Sequence, residues 1–110
     1  MITRYALFEG QVLPGKTDAF RKAVIENLVP IWKRFPGAID VRFCFSDKRD
    51  EGAPSLPMFL AVNSADEAAV EVALNSAVRT EARTATEEIL AKYFDGRIHH
   101  HLSEAHEFHL

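Results

Sequence analysis

The spacing of apolar residues switches along this chain between the period of a strand and that of a helix, and the switches mark out its elements. Ile2 to Val12 is rich in apolar and β-compatible residues and is broken by Pro14-Gly15, so it reads as a first strand and turn. From Thr17 to Phe35, Phe20, Val24, Leu28, Ile31 and Phe35 recur at spacings of three and four, which puts them on one face of a helix. Asp18 suits the positive end of the helix dipole, and Pro36-Gly37 stops the helix. Pro30 lies inside the pattern and, lacking an N–H, should bend the helix or divide it. A second apolar row, Ile25, Val29 and Trp32, widens the buried arc. Leaving such side chains in water forgoes about 1.5–3 kcal/mol each. The second helix pair, the carboxyl tail or a partner should therefore cover them.

Ala38 to Ser46 alternates, with Ile39, Val41, Phe43 and Phe45 on one side and Asp40, Arg42, Cys44 and Ser46 on the other, as a half-buried strand requires. Asp47 to Pro57 holds five charges, a Gly and two Pro and reads as a solvated connection. Met58 to Asn63 is a short apolar strand that stops at Ser64, and Ser64 with Glu67 spells a capping box for the next helix. Asp66 to Asn75 is helical. Ala77 to Phe94 carries a second stripe through Val78, Ala82, Ala85, Ile89 and Tyr93, so the two are one interrupted helix or a tandem pair. Asp95-Gly96 is expected to close it through a positive φ. Arg97 to Ser103 alternates again, Ile98, His100 and Leu102 against Arg97, His99 and His101, as a fourth strand. Residues 104–110 form a polar end that extends this strand or stays mobile.

The order β-α-β-β-α-β predicts an α+β, ferredoxin-like domain spanning residues 1–110, an antiparallel sheet with helices on one face. Its other face either meets water or packs on a second sheet in a dimer. At 110 residues the chain can bury roughly two thirds of its unfolded surface, so no staple is needed. Cys44 is the only cysteine, which rules out an intrachain disulfide and makes a reducing cytoplasm the expected setting. Met1 to Glu9 is interrupted by charge and does not read as a signal peptide, and no segment has the length of a membrane span. The net charge of −3, with Lys and Arg scattered among acids, argues against nucleic acid as a partner.

Several residues have the chemistry for a site. Asp40 and Arg42 share a face of the second strand, where each stabilises the other's charge, although an exposed ion pair fits the same pattern. Cys44 lies on that face too, and a nearby cation would make its thiol reactive; a packed small residue is the plainer reading. His99 and His101 share a face of the fourth strand and offer two imidazoles to a metal, but zinc needs three or four ligands. The rest would have to come from Glu104, His106, Glu107, His109 or a partner chain, so no metal is expected. The sequence holds no G-x-S-x-G elbow, phosphate-binding glycine loop or dinucleotide fingerprint, and no cofactor is expected.

Four features together resemble the EthD-like branch of the dimeric α/β-barrel superfamily over nearly the whole chain. They are Pro14-Gly15-Lys16, Pro30 six residues ahead of Pro36-Gly37, the segment Phe59-Leu60-Ala61-Val62-Asn63-Ser64 leading into an Ala- and Glu-rich helix, and the Asn75-Ser76 restart. The resemblance implies a homodimer whose open sheet faces meet as a barrel, with a small ligand cavity between each sheet and its helices or loops. EthD-like proteins often carry a histidine two residues before the first-helix proline; here that position is Leu28, which puts chemistry dependent on it in doubt. The expectation is a dimer that binds a small molecule of unknown identity. The alternatives are a cofactor-independent oxidoreductase or isomerase acting on an enolisable or phenolic compound, and a structural or assembly protein. In the enzyme reading, His99 or His101 is the general acid/base and Arg42 holds an oxyanion. Arg4, Asp40, Cys44 and Phe59 are the candidate ligand-binding residues, with Arg4, Asp40, Arg42, His99 and His101 expected on one open face.

Overall fold

In the computed structural model, which describes residues 1–110, eight elements follow one another: β1 (Ile2–Val12), α1 (Thr17–Asn27), α2 (Val29–Trp32), β2 (Ala38–Phe45), β3 (Met58–Ser64), α3 (Glu67–Leu74), α4 (Ala77–Tyr93) and β4 (Phe94–Glu104). The strands form one antiparallel sheet in the order β2-β3-β1-β4, with the helices on one face, as the ferredoxin-like arrangement has it. The register sorts the side chains. Ala6 is opposite both Leu60 and His100, and Phe8 is opposite both Met58 and Ile98, so these residues share the face under the helices. Leu7 is opposite Phe59 and His99 and looks the other way.

The core fills the space between the sheet and α1, α2 and α4. Phe20 and Val24 come down from the first helix, Leu28 from the break after it, Trp32 from the short second one, and Ile89 from α4, onto Phe8, Met58, Leu60 and Phe94. Phe20 stacks on Phe94 with ring centroids 5.8 Å apart, Phe94 meets Phe8 edge-on, and Trp32 leans on Phe43 at 5.3 Å. Pro30 does divide the helix. α1 ends at Asn27, Leu28 bridges the break, and Pro30 sits in the first turn of α2, where no N–H is required of it. Trp32 of the second apolar row is buried by this turn, while Ile25 stays half exposed.

Three local expectations are corrected. Ser64 does not cap a helix; it is the buried last residue of β3, and Asp66 is the N-cap of α3, its carboxylate accepting from the Ala69 N–H at 2.9 Å. Ile39 falls out of the apolar row of β2 because the register shifts between Ala38 and Asp40, and it is 58% exposed at that irregularity. Gly96 does not close α4. The helix ends at Tyr93 and Phe94 is already extended, so the chain enters β4 directly. The positive φ of Gly96 serves the sheet, where it faces Gly10, also at positive φ. A Cβ on Gly10 would lie 2.1 Å from the Asp95 carbonyl oxygen, and one on Gly96 would lie 2.0 Å from that of Glu9. Only a pair without side chains allows the strands to pass so closely.

β4 runs on to Glu104, opposite Ile2, and the Ala105 N–H adds one more bond to the Met1 carbonyl before residues 106–110 leave regular structure. No helix is long and apolar enough to cross a membrane.

Candidate functional site

The two faces of the sheet carry different chemistry. On the open face, β1 presents Thr3, Tyr5, Leu7 and Glu9. Thr3 donates to Asn63 Oδ1 and Asn63 Nδ2 donates to Asp40 at 2.6 Å, a polar chain crossing three strands at one end of the sheet. Arg42 is opposite Ala61, and the exposed Cys44 is opposite Phe59. At the other edge, His99 Nε2 hydrogen-bonds Glu9 at 2.8 Å, and Arg97 is 3.5 Å from the same carboxylate. The hydrogen bond from His99 leads the effects that hold the Glu9 carboxyl below its usual range; partial desolvation works against it, and the charges of His99 and Arg97 add to it.

This arrangement corrects the expected grouping of site residues. His99 and His101 lie on edge strand β4 and Arg42 and Asp40 on the opposite edge strand β2, with β1 and β3 between them. Three inter-strand steps separate those edges by about 14 Å. Within one chain, neither histidine shares a pocket with Arg42, and the carboxylate beside His99 is Glu9 rather than Asp40. Arg4 is not on this face at all. It is opposite Leu102 and Val62, in the row of Ala6 and Phe8, and points under the helices. No group of three or more His, Cys, Asp or Glu side chains is arranged to hold a metal ion. His106 and His109 pair instead with their neighbours Glu104 and Glu107.

Under the helices lies a partly enclosed cavity of about 510 Å³. Its apolar lining comes from Phe8, Leu60 and Ile98 of the sheet, Trp32 and Phe35 of the first helical layer, and Ala82 and Leu90 of α4, and Arg83, Thr86 and Glu87 of α4 add a polar stretch. The local sequence explains the space. Ala6 on the floor and Ala82 in the roof are small, and the short α2 that Pro30 opens brings Trp32 to the lining. Arg4 from β1, His100 from β4 and Arg79 from the first turn of α4 also line the cavity, close enough for their charges to act on one another. Neither Arg4 nor Arg79 forms an ion pair, whereas Arg83 on the same wall is matched by Glu87 at 3.2 Å. Burial, and after it the charge of Arg79, lowers the pKa of the Arg4 guanidinium. Desolvation first, then the charges of Arg4, Arg79 and His99, pushes His100 down to about 4. His100 is itself exposed, and the two arginine charges beside it disfavour its protonation.

A wider groove of about 870 Å³ runs between α1 and α4, lined by Ala23, Ile31, Glu81, Glu88, Lys92 and Tyr93 among others. It is the larger hollow but a shallow one between two helix surfaces, and no unmatched buried charge points into it. The cavity under the helices is the better site on chemistry.

Arg79, His100 and Trp32 were absent from the candidates read from sequence. Arg4 and His100 carried a signal, since each is a polar residue in an otherwise apolar row of its strand (Ile2-Arg4-Ala6-Phe8 and Ile98-His100-Leu102). Nothing in one sequence reports that Arg79 faces them.

Comparison with known proteins places the fold. No family model matches the sequence, and no curated protein matches it. Among solved structures, an EthD family protein from Bacillus halodurans superposes with a TM-score of 0.69 at 14% identity, covering 96% of this chain and all of that one. HapK from Hahella chejuensis gives 0.67 at 12% identity, covering 100% of this chain and 97% of that one. SnoaB, a cofactor-independent oxygenase from Streptomyces nogalater, gives 0.61 at 16% identity, over 97% and 94% of the two chains. Ferredoxin-like proteins of unknown function that match equally well, from Bacteroides fragilis and Thermobifida fusca, are described as dimeric. The chain therefore has the fold of EthD-like and dimeric ferredoxin-like proteins.

Proposed function

We propose that two copies of this chain pack through their open sheet faces and that each binds a small, largely apolar organic molecule between its sheet and its helices. The cavity carries this reading. At about 510 Å³ it has the size of pockets that enclose small organic ligands, with a mainly hydrophobic set of lining residues and the coupled group Arg4, Arg79 and His100 among the polar ones. The dimer is supported by the open face, where Tyr5 stays exposed beside Leu7 and Phe59 at the centre of the sheet, and by the dimeric state described for fold neighbours. Joining two such faces removes that apolar surface from water and covers the sheet on both sides.

A thermal-shift screen of small aromatic and alicyclic compounds against wild type and Ala82→Phe tests the cavity. Ala82 is buried in the roof, and a phenyl ring there occupies the ligand's volume. Compounds that bind as proposed raise the melting temperature of wild type but not of the filled variant. Compounds that stabilise both equally bind elsewhere.

A second reading, turnover without a cofactor, is favoured by the likeness to the oxygenase SnoaB. The cavity would assist it by stabilising negative charge, since Arg4 and Arg79 both line it and an enolate or phenolate oxygen held between them would be stabilised. With a pKa of about 4, His100 accepts a proton poorly near neutrality, which favours binding over base catalysis here. On the open face, His99, oriented by Glu9, is the alternative acid/base, and Arg42 could join it only from a partner chain. Equal turnover of small phenols and keto compounds by wild type, His99→Ala and His101→Ala would remove both histidines from any mechanism.

A further inference from the structure

Resting on the cavity reading, we infer that the cavity's ligand is an organic acid: an apolar body held under the helices, with a single carboxylate-type oxyanion bound by Arg4 and Arg79 beside His100. The geometry behind this is a mismatch of charge. Two arginines from different elements, β1 and α4, line one cavity close enough for the charge of Arg79 to act on Arg4, and neither has a carboxylate partner. Placing unmatched like charges side by side against apolar walls costs free energy, and an anion between them removes that cost. The α4 terminus sharpens the mismatch. Arg79 lies in the first turn, at the positive end of the helix dipole, and that turn carries no acidic residue. Neutral His100 adds no third positive charge and can donate a hydrogen bond to the same oxyanion. Guanidinium groups match the planar carboxylate better than any other side chain.

The surroundings of His100 contain other charges. Glu67 and Glu71 of α3 share a neighbouring recess with Arg4, His100 and His101, and the Arg83–Glu87 pair lies farther along α4. None of these carboxylates reaches Arg4 or Arg79, so the anion position is open to a ligand.

The test compares 4-phenylbutyrate with its uncharged analogue 4-phenylbutyramide, which has the same body, and with inorganic phosphate, which has no body. Binding is followed by the fluorescence of Trp32, the only tryptophan, which lines the cavity. The acid should bind wild type about tenfold or more tighter than the amide, the advantage expected of charge-assisted hydrogen bonds. Arg79→Gln and Arg4→Gln should each erase most of that advantage, weakening acid binding far more than amide binding; Arg79 is on the helix surface, so its variant is the one expected to fold without loss. As a second readout, saturating acid should raise the titration midpoint of the His100 ring, followed by NMR, from about 4. Equal affinity for acid and amide overturns the inference and leaves the cavity reading standing. Phosphate binding as tightly as the acid also overturns it, because the site would then be a bare anion site. Failure of both phenyl compounds to bind at millimolar concentration overturns the cavity reading and the inference with it.

Discussion

Leu28 shows how much one residue decides. It is fully buried at the break between α1 and α2, where the EthD-like resemblance would place a histidine. Leu28→Ala should cost roughly 2–5 kcal/mol, measured by urea unfolding, because it leaves a cavity in the fully buried core. His100 supplies a second test at this scale. Its folded pKa, about 4, lies below the ordinary 6.5, so below pH 6.5 the unfolded chain binds a proton that the folded one refuses. The folded state therefore loses stability progressively as pH falls from about 6.5 to about 4 and regains it as pH rises through that window. His100→Gln should flatten this part of the stability profile. An unchanged slope would mean that the imidazole titrates freely in the folded protein. Arg4 is a legible candidate in the sequence, but strand pairing turns it under the helices beside His100, and that pairing is a property of the sheet.

Among the elements, the order and type of strands and helices were legible, because a spacing of two or of three and four is imposed by backbone geometry before any tertiary contact, while β4 begins three residues earlier than its alternation indicates. What spacing does not report is which strand lies beside which. The order β2-β3-β1-β4 sends Arg42 and His99 to opposite edges, and only the folded sheet reveals it. Turn chemistry was legible as punctuation but misread in its role at Ser64 and Gly96. Asp66→Ala should cost about 1 kcal/mol by removing the bond to the Ala69 N–H, as loss of an N-cap does. Gly96→Ala should cost roughly 3 kcal/mol or more, since its Cβ meets the Glu9 carbonyl at 2.0 Å and the backbone must give way. If a thermal melt shows Gly96→Ala within a few tenths of a kcal/mol of wild type, the close passage of β1 and β4 is not a feature of the protein in solution.

For the whole molecule, the account joins a sheet-to-sheet dimer to a cavity on the far side of each sheet. Leu7 sits centrally on the open face, opposite both Phe59 and His99, and Leu7→Glu would place two like charges near the middle of the proposed contact. Light scattering should then give a folded species at the 12.4 kDa of one chain where wild type gives twice that mass; a variant that stays dimeric places the contact elsewhere. The cavity is the central claim, and the measurement that tests it most directly is a crystal structure of the protein soaked with a compound that stabilises wild type but not Ala82→Phe. The compound is expected between the sheet and α4, in contact with Trp32, Leu60 and Leu90 and with its polar end toward Arg4 and Arg79. Density for it in the α1–α4 groove beside Ala23 and Lys92, with the cavity under the helices empty, would contradict the account.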